Sequence, residues 1–163
     1  MMVQGEFFGK EADMDGAKEQ LPAVDGWFTM DVENPKLIGS HCASCNTYYF
    51  PKETHFCRNP NCTSSELSEI TLSTEGVLWS FTNNCYAPPE PYIKADPFVP
   101  YAIAAVELEK EKMVVLGQIV EGVKVEDLKA GMPMKLTLDR LYEKENQEFM
   151  VWKWKPVQKG ESA

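Results

Sequence analysis

Cys42-Ala43-Ser44-Cys45 and Cys57-Arg58-Asn59-Pro60-Asn61-Cys62 form two cysteine pairs separated by eleven residues. Two such pairs, each on a hairpin tip, can face one metal ion. Thiolates favour zinc, and four of them complete a tetrahedron that leaves no position for a catalytic water. The spacing therefore predicts a structural zinc ion bound by Cys42, Cys45, Cys57 and Cys62 in a small β ribbon.

The residues around these pairs leave alternatives open. The cysteines could be reduced and metal-free, or paired as disulfides, and His41 or His55 could replace a cysteine that is not a ligand. Asn46 follows the first pair where glycine is common, and asparagine tolerates the left-handed backbone conformation well. Four residues separate Cys57 from Cys62, so the second loop is longer than usual for such a site.

The chain after residue 72 has the pattern of a β barrel. Alternating hydrophobicity between turn residues predicts five strands of similar length, at residues 77–82, 101–109, 113–121, 134–142 and 149–155. A helical turn at 125–129, closed at Gly131, precedes the fourth strand. Closing five strands into an OB-fold barrel removes exposed edges, so the predicted fold class is mainly β: a rubredoxin-like zinc ribbon followed by an OB-fold.

The period of two also predicts which side chains are buried. In the first of these strands we expect Val77, Trp79 and Phe81 to share one half-buried face. In the last strand Trp152 and Trp154 alternate with lysines, which favours packing in the core over a stacking platform for bases.

The amino-terminal segment is acidic. Residues 1–33 contain eight carboxylates and two lysines, which accounts for −6 of the net charge of −9, but they also include aromatic residues. We therefore predict four segments: a docking arm at 1–35 that is partly helical or irregular, the zinc ribbon at 36–72, the OB-fold at 73–157 and a tail at 158–163. A partly disordered leader with one short helix remains the alternative for the arm.

Charge and hydropathy restrict the classes of function. Only two arginines occur in a chain of net charge −9, which disfavours binding to nucleic acid. The first thirty residues show no basic region followed by an apolar run, and no stretch has the length of a membrane-spanning helix. We expect a cytoplasmic protein.

The order of motifs resembles a known family. His41 to Cys62 is followed by Gly76-Val77-Leu78-Trp79-Ser80-Phe81-Thr82 and by Pro100-Tyr101-Ala102-Ile103-Ala104-Ala105-Val106-Glu107-Leu108, and later by Gly131-Met132-Pro133-Met134 and Trp152-Lys153-Trp154-Lys155-Pro156. Together these motifs resemble the family in which a rubredoxin-like zinc ribbon precedes an acyl-CoA-associated OB-fold. The resemblance covers roughly residues 36–157.

The resemblance implies a function. Members of this family are non-catalytic subunits beside thiolase-type enzymes, and sometimes beside acyl-CoA hydratases or retro-aldolases, and they share a CoA thioester with that partner. Size and the carboxyl-terminal motif are most similar to the zinc-ribbon subunits of benzoylsuccinyl-CoA thiolases from anaerobic toluene degradation. The arm is longer and more acidic than the lead segment usual in the family.

The residues themselves support a non-catalytic role. Thiolase chemistry needs a cysteine activated by histidine, but both histidines flank the predicted zinc loops, and the fifth cysteine, Cys85, reads as a buried apolar thiol. We therefore expect no catalytic residue in this chain, with catalysis by the partner.

The proline-rich loop at residues 86–100 is the predicted contact with CoA or the partner. Prolines reduce the entropy that the loop loses on binding, Tyr92 and Phe98 could anchor an interface with Tyr86 beside them, and Lys94 could meet a CoA phosphate. A stiff connection that merely covers the barrel is the alternative. Rival functions are a single-strand nucleic-acid-binding protein of the same architecture and a stand-alone thioesterase or hydratase.

Overall fold

The computed structural model describes residues 18–90 and 92–157. The described residues form nine β-strands: Glu19–Pro22 (β1), Ile38–Cys42 (β2), Thr47–Tyr49 (β3), Leu67–Thr71 (β4), Glu75–Asn84 (β5), Tyr101–Leu108 (β6), Met113–Ile119 (β7), Pro133–Lys144 (β8) and Gln147–Pro156 (β9). They divide into a three-stranded sheet, which carries the cysteines, and a larger sheet that closes on itself.

The smaller sheet is antiparallel, in the order β3-β2-β4. The central strand β2 pairs with both neighbours, so Ser40 lies opposite Tyr49 on one side and Glu69 on the other. The two cysteine loops connect the ends of these short strands, the first between β2 and β3 and the second between β3 and β4. This sheet is the predicted ribbon.

Five of the six strands in the larger sheet close into a barrel, and β1 pairs with β9 at its side. Neighbouring strands follow the order β5-β6-β7-β9-β8, and β8 pairs back with β5. All of these pairs are antiparallel except β7 with β9, which is parallel. Closure satisfies the backbone groups that an open sheet would expose at its edges. The predicted fold class, a zinc ribbon followed by an OB-fold barrel, is confirmed.

The barrel encloses an apolar core. Leu78, Ala104, Val106, Leu136 and Trp154 are at most 2% exposed, and they come from β5, β6, β8 and β9. Each strand therefore contributes one face to the interior, as alternation requires. The packing of Trp154 in this core confirms its predicted role.

The short helical element predicted before β8 is a single 3-10 turn at Val125–Asp127. Gly131 follows at a φ of +87°, a conformation that favours glycine, and its N–H donates to the carbonyl of Leu78 at 2.8 Å. The turn is thus fixed to the wall of the barrel. Among the described residues no helix has the length and apolar character needed to cross a membrane.

The described part of the amino-terminal arm packs on its own chain. Strand β1 pairs in parallel with β9, and the ring of Trp27 contacts both Phe50 of the ribbon and Trp152 of the barrel, with centroids 5.8 and 6.0 Å away. Residues 18–35 contain a strand and turns and no helix. Residues 1–17 lie outside the described residues, so the docking role of the arm stays a prediction.

A buried carboxylate joins the ribbon to the barrel. Glu111, in the turn between β6 and β7, is only 5% exposed, and its Oε1 accepts hydrogen bonds from the N–H and the hydroxyl of Ser73 at 2.9 and 3.0 Å. Ser73 directly follows the ribbon. The linker is therefore held against the hairpin of the barrel.

Two expectations about side-chain orientation are wrong. Val77 and Trp79 are 44% and 64% exposed, while Leu78 between them is fully buried. A β-bulge between Leu78 and Ser80 shifts the alternation by one residue, so that Phe81, beyond the bulge, packs against the core. Lys153, expected on the face of β9 opposite the core tryptophans, is only 3% exposed, and its Nζ donates to Oδ2 of Asp139 at 2.9 Å.

Candidate metal centre and contact surfaces

Four cysteines converge at one end of the ribbon. Their Sγ atoms all lie within 4.8 Å of one another, with 3.9 Å between Cys42 and Cys62 and 3.4 Å between Cys45 and Cys57. A tetrahedral zinc ion with Zn–S bonds of about 2.3 Å requires sulfurs about 3.8 Å apart. The four thiols therefore fit zinc. The two measured separations are well beyond a disulfide bond of about 2 Å, which argues against pairing as disulfides.

The first cysteine loop is a tight turn from the end of β2. Asn46 has a φ of 59°, as expected for an asparagine in the position of glycine, and its N–H donates to the carbonyl of Cys42 at 2.8 Å. The hydroxyl of Thr47 lies 3.1 Å from Sγ of Cys45, and this contact, together with those of Cys57 and Cys42, lowers the pKa of that thiol to about 6. The loop thus favours the thiolate, which is the form that binds metal.

The second cysteine loop is organised by a tyrosine. The hydroxyl of Tyr49 lies 3.0 Å from Sγ of Cys57 and accepts hydrogen bonds from the N–H groups of Arg58 and Asn59 at 2.9 and 3.1 Å. The contact with Cys57 raises the pKa of Tyr49, so the phenol keeps its proton and can donate to the sulfur. One side chain therefore fixes both the backbone and the sulfur of the longer loop.

A buried carboxylate supports the same loop from behind. Glu53 is 9% exposed, forms an ion pair with Arg58 and accepts hydrogen bonds from the N–H groups of Thr54 and His55. The hydrogen bond from the N–H of His55, together with that from Thr54 and the charge of Arg58, lowers the pKa of Glu53. The N–H of Glu53 in turn donates to the hydroxyl of Ser40 in β2, at 2.9 Å. The second loop is thereby anchored to the central strand.

The histidines lie outside this group of thiols. Nε2 of His41 is 2.8 Å from Oδ1 of Asn46, and the ring of His41 packs on Tyr48. The side chain of His55 is 81% exposed beside Glu53. Within the described residues, neither histidine belongs to the cluster that could hold a metal ion.

The proline-rich loop forms two neighbouring concavities. Tyr92 and Phe98 pack on Tyr101 and line a cavity of about 440 Å³, whose wall also includes Arg140 and Lys153. Burial, followed by the nearby Tyr92, raises the pKa of Tyr101 to about 12.

The other predicted contact residues lie at the second concavity. Lys94 and Tyr86 line this more open depression, and Tyr86 is 72% exposed. Tyr92 borders both concavities. The four predicted contact residues are therefore close together, but Tyr92 and Phe98 already pack within their own chain.

Cys85 is exposed, so the expectation of a buried thiol is wrong. It follows the last residue of β5, where the chain leaves the barrel, and its thiol donates only a long hydrogen bond to the carbonyl of Asn83 at 3.8 Å. Free cysteines are among the most often buried residues, but that tendency gives no indication of where β5 ends or how the chain leaves the barrel.

Sequence reasoning also missed three features of the site. The roles of Tyr49 and Glu53 depend on contacts between separate loops, and only the position of Tyr49 between the cysteine pairs hinted at one of them. The third feature is the outward orientation of Val77 and Trp79, which the bulge conceals.

Comparison with known proteins supports the same architecture. Residues 32–68 match the family model described as the rubredoxin-like zinc ribbon domain of ChsH2, and residues 69–139 match that of the ChsH2 carboxyl-terminal OB-fold domain. Among solved structures, the chain is similar to an Ltp2-ChsH2(DUF35) aldolase, with 26% identity and a TM-score of 0.53. That similarity covers 74% of this chain and 84% of the other. The two matched models together span residues 32–139, about two thirds of the sequence, and identify this chain as a zinc ribbon followed by an OB-fold, both of the ChsH2 type.

Proposed function

We propose that this chain is a non-catalytic accessory subunit of an acyl-CoA-processing enzyme. The observation that carries the proposal is the succession of a ChsH2-type ribbon and a ChsH2-type OB-fold, together with the similarity to the Ltp2-ChsH2(DUF35) aldolase. In that aldolase a ChsH2 chain is paired with a second protein, Ltp2. By analogy, this chain works in a hetero-oligomer with a catalytic partner.

In this proposal the metal centre is structural. Cys42, Cys45, Cys57 and Cys62 hold a zinc ion, whose four bonds to sulfur would fix the two loops relative to each other. No ligand position stays open, so the ion supplies no water or Lewis acid to a substrate. The ribbon is then a rigid scaffold.

The more specific proposal is that the partner is a thiolase-type enzyme, which carries its own cysteine nucleophile. The reaction is then that of a benzoylsuccinyl-CoA thiolase. An aldolase partner is the second candidate, and the similarity to the Ltp2-ChsH2(DUF35) aldolase favours it. The two reactions differ in whether they consume free CoA and in their products. Thiolysis of a β-ketoacyl-CoA consumes free CoA and yields two thioesters, whereas retro-aldol cleavage of a β-hydroxyacyl-CoA yields one thioester and a carbonyl compound without consuming CoA.

The loop at residues 86–100 is proposed to contribute to the CoA site. Lys94 is exposed beside Tyr86, where an ammonium group could meet a CoA phosphate. In the assembled enzyme, Lys94→Ala should raise the KM for acyl-CoA and leave kcat nearly unchanged. Lys129→Ala, at an exposed lysine near the 3-10 turn, is the matched control and should change neither constant.

Isolation of the native complex tests the function. The full chain, tagged and expressed in its own cells, should co-purify with one acyl-CoA enzyme in a fixed ratio, and the isolated chain should turn over no acyl-CoA. Dependence of the complex on free CoA then separates a thiolase from an aldolase. A chain recovered only as a monomer, or one that binds single-stranded nucleic acid at sub-micromolar Kd in a salt-dependent manner, would contradict the proposal.

A further inference from the structure

The outer wall of the barrel carries an exposed apolar surface. Leu116 of β7 is 62% exposed and Trp79 of β5 is 64% exposed, while Val77 and Val114 on the same two strands are each 44% exposed. These four residues are called the outer patch. Large apolar side chains that are exposed together on one face of a sheet, as opposed to singly, are a frequent mark of a surface that binds another protein.

The register of the strands places the members of the outer patch on one face of the sheet, on either side of β6. Val77 pairs with Glu107 of β6, and Glu107 pairs with Val114, so these three form one row across the sheet. In the next row, Leu116 lies opposite Ala105, which pairs with Ser80 beside Trp79. The bulge at Trp79 adds a side chain to this wall without disturbing the buried row behind it.

The buried row confirms which side faces outward. Leu78, Val106 and Val115 pair across the same three strands and are at most 3% exposed. Side chains alternate between the two faces of a strand, so residues next to this row in sequence point away from the core. The outer patch is therefore a face of the barrel that its own core does not use.

A single carboxylate interrupts the apolar surface. Glu107 lies between Val77 and Val114, is exposed, and forms no ion pair with any of the described residues. Covering this surface with an uncharged partner would remove the carboxylate from water without compensation. The complementary surface is thus apolar and presents a lysine or arginine opposite Glu107.

We infer that the outer patch is the docking surface for the catalytic partner subunit, which contributes apolar side chains around one basic residue. The inference rests on the proposed function and adds the location of the interface. The four apolar residues would form the centre of this interface, and polar residues of the barrel wall would form its rim.

Charge argues against two other occupants. In a symmetric dimer centred on the outer patch, Glu107 would face Glu107 of a second copy, and each copy carries a net charge of −9. Residues 1–17 contain four carboxylates and only one lysine, so this segment would also bring mainly like charge to Glu107. A basic partner surface avoids both repulsions.

Affinity measurements on the purified complex test the inference. The partner enzyme identified by co-purification is titrated with the full chain, with three test variants and with one control variant. Leu116→Ser should raise the Kd at least tenfold, and Glu107→Lys should raise it more than Glu107→Gln does. Glu126→Lys, at an exposed carboxylate of the 3-10 turn outside the outer patch, is the control for the charge reversal and should bind within twofold of the wild type.

The outcomes separate the two levels of the proposal. If the wild type binds the enzyme and both Leu116→Ser and Glu107→Lys bind within twofold of it, the docking surface is wrong while the proposed function stands. If no acyl-CoA enzyme co-purifies with the wild type, the proposed function itself fails. Two other results would also overturn the inference. One is a dimer of the isolated chain that Leu116→Ser dissociates, which would make a second copy the occupant. The other is a rise in acrylamide quenching of Trp79 after deletion of residues 1–17, which would make that segment the occupant. Circular dichroism verifies that each variant is folded.

Discussion

The hydroxyl of Tyr49 lies 3.0 Å from Sγ of Cys57, within hydrogen-bond distance of a cysteine from the other pair. The same oxygen accepts hydrogen bonds from the N–H groups of Arg58 and Asn59. Tyr49 is in β3, so this contact links the strand after the first cysteine loop to the beginning of the second loop. The longer spacing of the second pair is thereby compatible with a compact metal centre.

Tyr49→Phe should weaken the binding of zinc. The substitution keeps the ring, removes the donor to Cys57 and leaves two backbone N–H groups without their acceptor. Loss of such outer-shell contacts typically lowers metal affinity about 10- to 100-fold. Competition with a chromophoric chelator measures the change. Tyr48→Phe keeps the contact to Cys57 and should retain the affinity of the wild type; equal affinities for both variants would contradict the role of Tyr49.

Removal of zinc should unfold the ribbon. Binding of structural zinc contributes on the order of 10 kcal/mol to folding in small zinc domains, and the three-stranded sheet has little core of its own. In strong chelator, hydrogen exchange should accelerate across β2, β3 and β4 far more than across the barrel strands. Protein that contains no zinc after clean purification, and whose exchange does not respond to chelator, would contradict the zinc assignment.

Glu53→Gln should destabilise the protein near neutral pH and much less in acid. The pKa of Glu53 is lowered in the folded state, so its carboxylate stabilises the fold above the unfolded pKa of about 4.3, and this contribution is lost as the pH falls through the lower folded pKa. Urea denaturation of both proteins at several pH values measures the difference in the free energy of unfolding. A difference that stays constant from pH 7 to pH 3 would exclude this linkage.

The ion pair between Lys153 and Asp139 should respond asymmetrically to substitution. Asp139→Ala leaves a buried ammonium group unpaired and should cost about 3 kcal/mol, toward the lower end for broken buried pairs because the side chain of Asp139 is 36% exposed. Lys153→Met should cost clearly less, since water can solvate the remaining carboxylate. Thermal unfolding measures the loss of stability in each variant. Equal losses would contradict the burial of the Lys153 ammonium group beside Asp139.

The sequence predicts the strands and the metal centre better than it predicts the surfaces. Cysteine spacing alone identifies the four thiols, and alternating hydrophobicity locates the five strands of the barrel, because both signals are local. The orientation of Trp79 could not be predicted in this way, since a bulge depends on how β5 pairs with β6. The burial of Lys153 likewise depends on Asp139 in another strand.

The candidate contact residues show the same division. The composition of the proline-rich loop predicts a stiff segment near Tyr92 and Lys94, and the structure forms two concavities there. The outer patch escaped prediction because a run of apolar residues in a strand is ordinarily evidence of burial. Only the pairing of β5, β6 and β7 reveals which of these residues the core leaves exposed.

The position of Trp27 between Phe50 and Trp152 bears on how far this chain is modular. An indole from a segment that precedes the ribbon fills the seam between ribbon and barrel, so neither unit is complete at its own sequence boundaries. A fragment that begins at residue 73 would lose this indole and expose Trp152 to water. A ribbon exchanged between related chains would therefore need the preceding segment with Trp27 to keep this packing. The unit that can be exchanged intact is longer than the ribbon alone.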